Sequence, residues 1–246
     1  MRVKCIVSYD GTQFSGYQVQ PNKRTVQSEI ENSLLKLHKG QAVKIYASGR
    51  TDAQVHALGQ VFHFDTHLTI PKEKWPYALN SLLPDDISIK EAVYVDDDFH
   101  SRFHALKKEY RYQINTAKIQ DVFKRHYMYH FPYHLDVDLM RKASQYLCGT
   151  HDFTSFCVAK TEVEDKVRTI FSIDIVKKDS DIIFSFIGNG FLYNMVRILV
   201  GTLLEVGQGI RTPESIPAVI KGRDRGLSGK TVPGHGLYLW KVYYDN

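Results

Sequence analysis

The stretch ASGRTDAQVHALGQVFHF, residues 47–64, decides how the first half of the chain folds. It opens on the end of one strand, predicted over 42–48 from the spacing of Val43, Ile45 and Ala47. It closes inside another, predicted over 58–66 from Leu58, Val61, Phe62 and Phe64. Between them Gly49-Arg50-Thr51-Asp52 reads as a turn, with Arg50 and Asp52 two apart at its tip. A carboxylate on a turn between adjacent strands is placed to face a cleft. An aspartate that only caps its own turn is the competing reading.

Working outward, each strand has a helix on its far side. Val26, Ile30, Leu34 and Leu37 fall at helical spacing over 24–38, and Gly40 stops the run. Pro71 suits a first helical position for a helix over 71–82. Beyond the helices, Val3, Cys5, Val7 and Tyr9 alternate in a strand over 1–9 that ends at the turn signal Asp10-Gly11-Thr12, and a last strand covers 86–95. The order is βαββαβ. The remainder repeats it: a strand over 107–114, a helix from Asp136 to about 147, strands over 167–176 and 182–187, a very apolar helix over 191–206, and a strand over 236–244. Thr212-Pro213 starts a short extra helix, and residues 96–106 and 115–135 are irregular. The expected fold is therefore α+β: two ferredoxin-like βαββαβ halves, residues 1–105 and 106–246, with largely antiparallel sheets flanking a central basic cleft.

Composition narrows the class. The chain has 246 residues, 43% hydrophobic and 24% charged, which is globular usage. No apolar run reaches the ~20 residues of a membrane span, and the N-terminus does not read as a signal peptide. Three cysteines without a CxxC argue against a disulfide framework and for the cytoplasm. The net charge of +5 is uneven: residues 1–105 hold 12 basic and 12 acidic side chains, residues 106–246 hold 20 and 15. A basic second half fits a phosphate-bearing partner, and equally a solvated face. FKRHYMYHFPYH (123–134) mixes bases with rings of the kind that stack on RNA bases, although structural packing explains it as well.

Six segments in order carry a resemblance. GRTDAQVHALGQV (49–61) resembles the GRTDAGVHA-GQV signature of the TruA family of tRNA pseudouridine synthases, departing at Gln54, where glycine is usual. YDGTQFSGYQVQ (9–20), KKEYRYQI (107–114), GTHDFTSFC (149–157), GNGFLYNMVRILVGTLLEVGQG (188–209) and PGHGLYLWKVYY (233–244) have counterparts in the same order. The resemblance implies Asp52 as nucleophile and Tyr110 as the ring that stacks on uracil and takes the C5 proton. It implies Arg197 as the partner of Asp52 and Arg50 as an aid to base flipping. Arg24 and Lys230 are added as RNA-binding residues. The implied substrate is uridine at positions 38, 39 and 40 of the tRNA anticodon stem-loop, and the implied assembly is a homodimer. The reaction exchanges a C1′–N1 bond for a C1′–C5 bond without net electron or phosphoryl transfer, so no cofactor or metal is expected.

Other constellations are weaker. Cys148, His151 and Cys157 lack the fourth ligand of a structural zinc site. His126, His130 and His134 are interrupted by Pro132, while His56, His63 and His67 read as hydrogen-bonded structural histidines. A non-catalytic RNA binder would have lost Asp52, Tyr110 or Arg197. A metal-dependent nuclease would need a carboxylate or histidine cluster that the sequence does not display. If the position of Gln54 demands positive φ, glutamine must tolerate it.

Overall fold

A computed structural model describes residues 1–158 and 163–245. In chain order these form β1 (Arg2–Tyr9), α1 (Val26–Leu37), β2 (Tyr46–Ala47), β3 (His56–Asp65), α2 (Trp75–Asn80), β4 (Ile87–Val95), β5 (Lys107–Asn115), β6 (Tyr129–His130), α3 (Val137–Gln145), β7 (Gly149–Asp152), β8 (Val167–Lys178), β9 (Asp181–Gly188), α4 (Met195–Gly207), α5 (Ile216–Gly222) and β10 (Leu237–Tyr243). The fold is mixed α+β, and most strand pairs are antiparallel. Two compact units are present: Met1–Leu106 with Tyr238–Asn246, and Lys107–Leu237. The last strand thus groups with the first unit rather than with the segment that precedes it.

In the first unit β1 pairs antiparallel with β4 on one side and β3 on the other. The alternation of β1 is realised: Val3, Cys5, Val7 and Tyr9 are buried and the residues between them are not. β3 does not alternate, because both of its faces are covered. One of its outward residues, His63, stacks on Tyr46 and accepts hydrogen bonds from Ser101. β10 runs parallel to β3 at His56 and Ala57. Thr25 caps α1 in a reciprocal capping box with Ser28.

Two of the boundaries expected in this unit move for a local reason. The strand expected over 42–48 shrinks to Tyr46–Ala47, since the chain before it stands off β3 and lines a surface pocket with His38, Asp65, Thr66 and His67. The helix expected over 71–82 begins as a 3-10 turn, Lys72–Lys74, and becomes α-helical only at Trp75. Pro76 explains this: it lacks an N–H and clashes with the carbonyl four residues back, so an α-helix containing it must start within a turn of it. Trp75 is fully buried, edge-on to Phe64, with its indole N–H on the Tyr94 hydroxyl.

In the second unit the strand order is β5-β9-β8-β7, all antiparallel, with β6 parallel to β5. β8 and β9 meet at a two-residue turn in which Asp179 has φ of 53°. Tyr112, Ile114, Phe184, Phe186, Ile173 and Ile175 make the buried face of this sheet. α3 packs on β8 and on α4, and α4 is buried along nearly its whole length. α4 starts at Met195 instead of 191, because Asn194 takes φ of 59° and interrupts the helical path. Pro217 repeats the effect of Pro76: Pro213–Ser215 is a 3-10 turn, and α5 follows from Ile216. Among the described residues no helix is long and apolar enough to cross a membrane.

Candidate active site

Asp52 lies on the loop between β2 and β3, half-buried, with Thr51 buried before it and Ala53 and Gln54 exposed after it. The loop is held mainly by backbone. The Tyr17 N–H donates to the Thr51 carbonyl at 3.0 Å, the Gln54 N–H to the Phe14 carbonyl at 3.3 Å, and the Val55 N–H to the Asp52 carbonyl at 3.2 Å. Two glycines permit this approach. A Cβ on Gly11 would sit 2.1 Å from the Val55 oxygen, and Gly16, with φ of 105°, would bring one within 2.9 Å of the Thr51 oxygen. The segment YDGTQFSGY (9–17) is thus the cradle of the Asp52 loop.

Side chains reinforce the cradle. The Tyr9 hydroxyl bonds the Thr51 hydroxyl at 2.7 Å, and burial pushes the Tyr9 phenol above its ordinary pKa. Ser48 Oγ donates to Gln60 Oε1 at 2.7 Å, and Gln60 Nε2 donates to the Gly49 carbonyl at 2.9 Å. The Gly11 N–H donates to His56 Nδ1 at 3.0 Å. Asp10 Oδ1 lies 3.2 Å from the same nitrogen. The ring stacks on Tyr238 at 4.7 Å.

Gln54 has φ of 63°. The position does demand the left-handed region, which costs an L-residue with a Cβ about 1–2 kcal/mol. Arg50 is exposed and makes no hydrogen bond or ion pair with any described residue. Arg24 is occupied within its unit: two nitrogens grip Asp86 at 2.6 and 2.9 Å, Nε reaches Glu29 at 2.8 Å, and the guanidinium lies over the Phe14 ring. These hydrogen bonds raise the Arg24 pKa further above its ordinary value.

In the second unit Tyr110 sits in β5, buried, opposite Phe186 and edge-on to Phe191 at 5.2 Å. Tyr112, on the same face, donates to the Pro233 carbonyl at 2.7 Å. Burial drives its phenol far above the usual value, against the pull of the Arg197 charge. Arg197 is the third residue of α4. Its Nε donates to the Val232 carbonyl at 2.7 Å and its Nη1 to Asn194 Oδ1 at 2.6 Å. Val232 belongs to a strap lying directly on α4: a Cβ on Gly201 would fall 1.8 Å from the Lys230 oxygen, and the Gly229 N–H donates to Thr202 Oγ1. Lys230 points its backbone at the helix and is exposed. Residues 229–232 are therefore built onto α4.

Sequence reasoning singled out Asp52, Tyr110 and Arg197 but not their supports. Tyr9, Thr51, Gln60 and His56 around the loop, and Asn194 and Val232 around Arg197, emerge only in three dimensions. The spaced glycines at 11 and 16 were the available signal for the cradle. His38, His56, His63 and His130 all have hydrogen-bond partners. His151 Nε2 bonds the Cys148 carbonyl. Among the described residues no group of three or more His, Cys, Asp or Glu is arranged to hold a metal ion.

A family model described as tRNA pseudouridine synthase matches residues 5–104 and 143–245. The tRNA pseudouridine synthase A of Anoxybacillus flavithermus is 60% identical over 245 residues, spanning 100% of this chain and 99% of that protein. Those of Bacillus subtilis and Bacillus velezensis are 59% and 60% identical over 247 residues, spanning 100% of each chain. With its Asp52 loop inside the matched region, this chain belongs to the tRNA pseudouridine synthase family of isomerases, which convert uridine in tRNA to pseudouridine.

Proposed function

We propose that the enzyme acts at positions 38, 39 and 40 of the tRNA anticodon stem-loop, with Asp52 as the reacting carboxylate. The observation that carries the role of Asp52 is the backbone cradle of its loop: main-chain bonds joining Thr51 and Gln54 to residues 17 and 14 hold the loop on which a half-exposed carboxylate is pre-organised for attack. Isomerisation breaks C1′–N1 and forms C1′–C5. The C5 proton leaves and N1 regains one, so atoms balance within the nucleoside and its two proton transfers. Asp52 takes or stabilises the detached fragment, and Tyr110 stacks on uracil and accepts the C5 proton. Arg197 keeps Asp52 ionised and oriented. The target base must first leave its stack at a cost of a few kcal/mol, and Arg50, exposed on the same loop, fills the vacated place. Lys230 contacts phosphate, and Arg24 serves RNA binding by fixing the 14–24 segment behind the loop.

We read the two halves of the sequence as ferredoxin-like in element order, 1–105 carrying the Asp52 loop and 106–246 carrying Tyr110 and Arg197, with the last strand of the second half grouped with the first unit, around a basic cleft, in a cytoplasmic homodimer. Serving three neighbouring positions requires recognition of tRNA shape instead of local sequence. The test is incubation of the pure protein with unmodified tRNA transcripts bearing uridine at 38, 39 or 40, followed by nucleotide-resolution pseudouridine mapping. Product at those positions supports the assignment. Product confined to another arm of the tRNA refutes it.

A further inference from the structure

Six non-glycine residues among those described have positive φ: Asn22, Lys39, Gln54, Asp179, Asn194 and Arg223. Five have a local reason. Asn22, Asp179 and Asn194 carry the short polar side chains that tolerate the left-handed region. Lys39 follows the end of α1 and Arg223 is the C-cap of α5, where helices commonly finish with a left-handed residue. Gln54 has neither reason. It lies in an open loop, its N–H tied to the Phe14 carbonyl, so the loop imposes the conformation. Its side chain is exposed, and its carboxamide makes no hydrogen bond with any described residue. Backbone strain of this kind persists where surroundings over-determine it, and it gathers at functional sites. Asp52 is two residues away on the same loop.

We propose that Gln54 contacts substrate: its carboxamide hydrogen-bonds the ribose–phosphate backbone of the nucleotide beside the target uridine. This rests on the reading of Asp52 as the reacting carboxylate. An amide offers two N–H donors and one acceptor, and so matches both phosphate oxygens and a 2′-hydroxyl. It is also uncharged, so it engages RNA without neutralising the carboxylate next to it. Backbone contacts of this type set register and orientation. Gln54 fixes where the RNA strand passes the loop, while Arg50 occupies the gap left by the flipped base.

Two variants separate the amide from the strain. Gln54→Gly removes both. Gln54→Met keeps the length and the strained backbone but has no amide. Both are assayed for kcat and KM on an unmodified tRNA transcript, alongside thermal melting. Each is expected to raise KM about five- to tenfold, the range of a lost hydrogen bond, with kcat within about twofold. The melting temperature should rise in Gln54→Gly alone. A wild-type KM in Gln54→Met overturns the proposal, whatever its kcat. Asp52→Asn in the same assay keeps the two readings apart: retained turnover there removes the role of Asp52, whereas a wild-type KM in Gln54→Met removes only the amide contact.

Discussion

Gly11→Ala tests whether the cradle positions Asp52. The added methyl would lie 2.1 Å from the Val55 oxygen and 2.5 Å from the Val55 carbonyl carbon. Real Cβ atoms essentially never approach within 3.0 Å, so the Val55 carbonyl must retreat by about 0.9 Å. Val55 donates its N–H to the Asp52 backbone carbonyl, so a shift of Val55 is expected to move the Asp52 backbone and the carboxylate it carries. Overpacking against backbone costs about 1–3 kcal/mol. At roughly 2–4 °C per kcal/mol for a chain of this size, melting should fall by about 2–12 °C. A misplacement of ~1 Å at a reacting group costs on the order of 10²-fold in rate. The assay is kcat for pseudouridine formation on an unmodified transcript at a temperature well below both melting points. Gly40→Ala is the control. Its φ of 94° makes alanine strained, but nothing lies within 4 Å of the new methyl, so it should lower stability and leave kcat intact. If Gly11→Ala melts like the control and keeps kcat within about twofold, the cradle does not place Asp52.

Other perturbations probe other parts. Gly201→Ala should drive the 229–232 strap off α4, because its methyl falls 1.8 Å from the Lys230 oxygen. Loss of stability together with loss of kcat is expected, through the Val232 carbonyl that holds Arg197, and melting plus turnover reads both. Arg24→Ala removes three hydrogen bonds to Asp86 and Glu29, and since the pair is partly solvated the loss in urea unfolding should be modest, about 1–2 kcal/mol. His63 is held neutral, its pKa lowered to about 4 by burial first and then by His100 and Arg2. The unfolded chain binds that proton near pH 6.5 and the folded chain does not, so stability should decline as pH falls from about 6.5 to about 4. In His63→Asn that decline should flatten, and an unchanged pH slope in urea melts would show that His63 is not its source.

The sequence was most informative where one face of an element is buried and its period shows. Val3, Cys5, Val7 and Tyr9 announced β1, and Val26, Ile30 and Leu34 announced α1. It was least informative where length or a single residue decides. β6 and β7 have two and four residues, too short for any period to register. Pro76 and Pro217 put the α-helical starts at Trp75 and Ile216, a turn later than Pro71 and Thr212-Pro213 had suggested. At the site, Asp52, Tyr110 and Arg197 were legible through the resemblance of their motifs to a known family, since a turn aspartate and a strand tyrosine carry no such mark on their own. Their supports were not, because the bonds from Tyr17 and Gln54 to the Thr51 and Phe14 carbonyls are main-chain and leave no mark on side-chain identity. The grip of Arg24 on Asp86 joins residues 62 apart, beyond the reach of any local pattern.

The most direct test of Asp52 is Asp52→Asn, measured for single-turnover pseudouridine formation and for tRNA binding at one fixed salt concentration. The isosteric amide removes the nucleophilic carboxylate, while RNA affinity rests mainly on phosphate contacts made elsewhere. The expected result is product formation reduced to background with tRNA affinity within a few-fold of wild type. Substantial turnover in the variant would contradict the assignment of Asp52 as the reacting group.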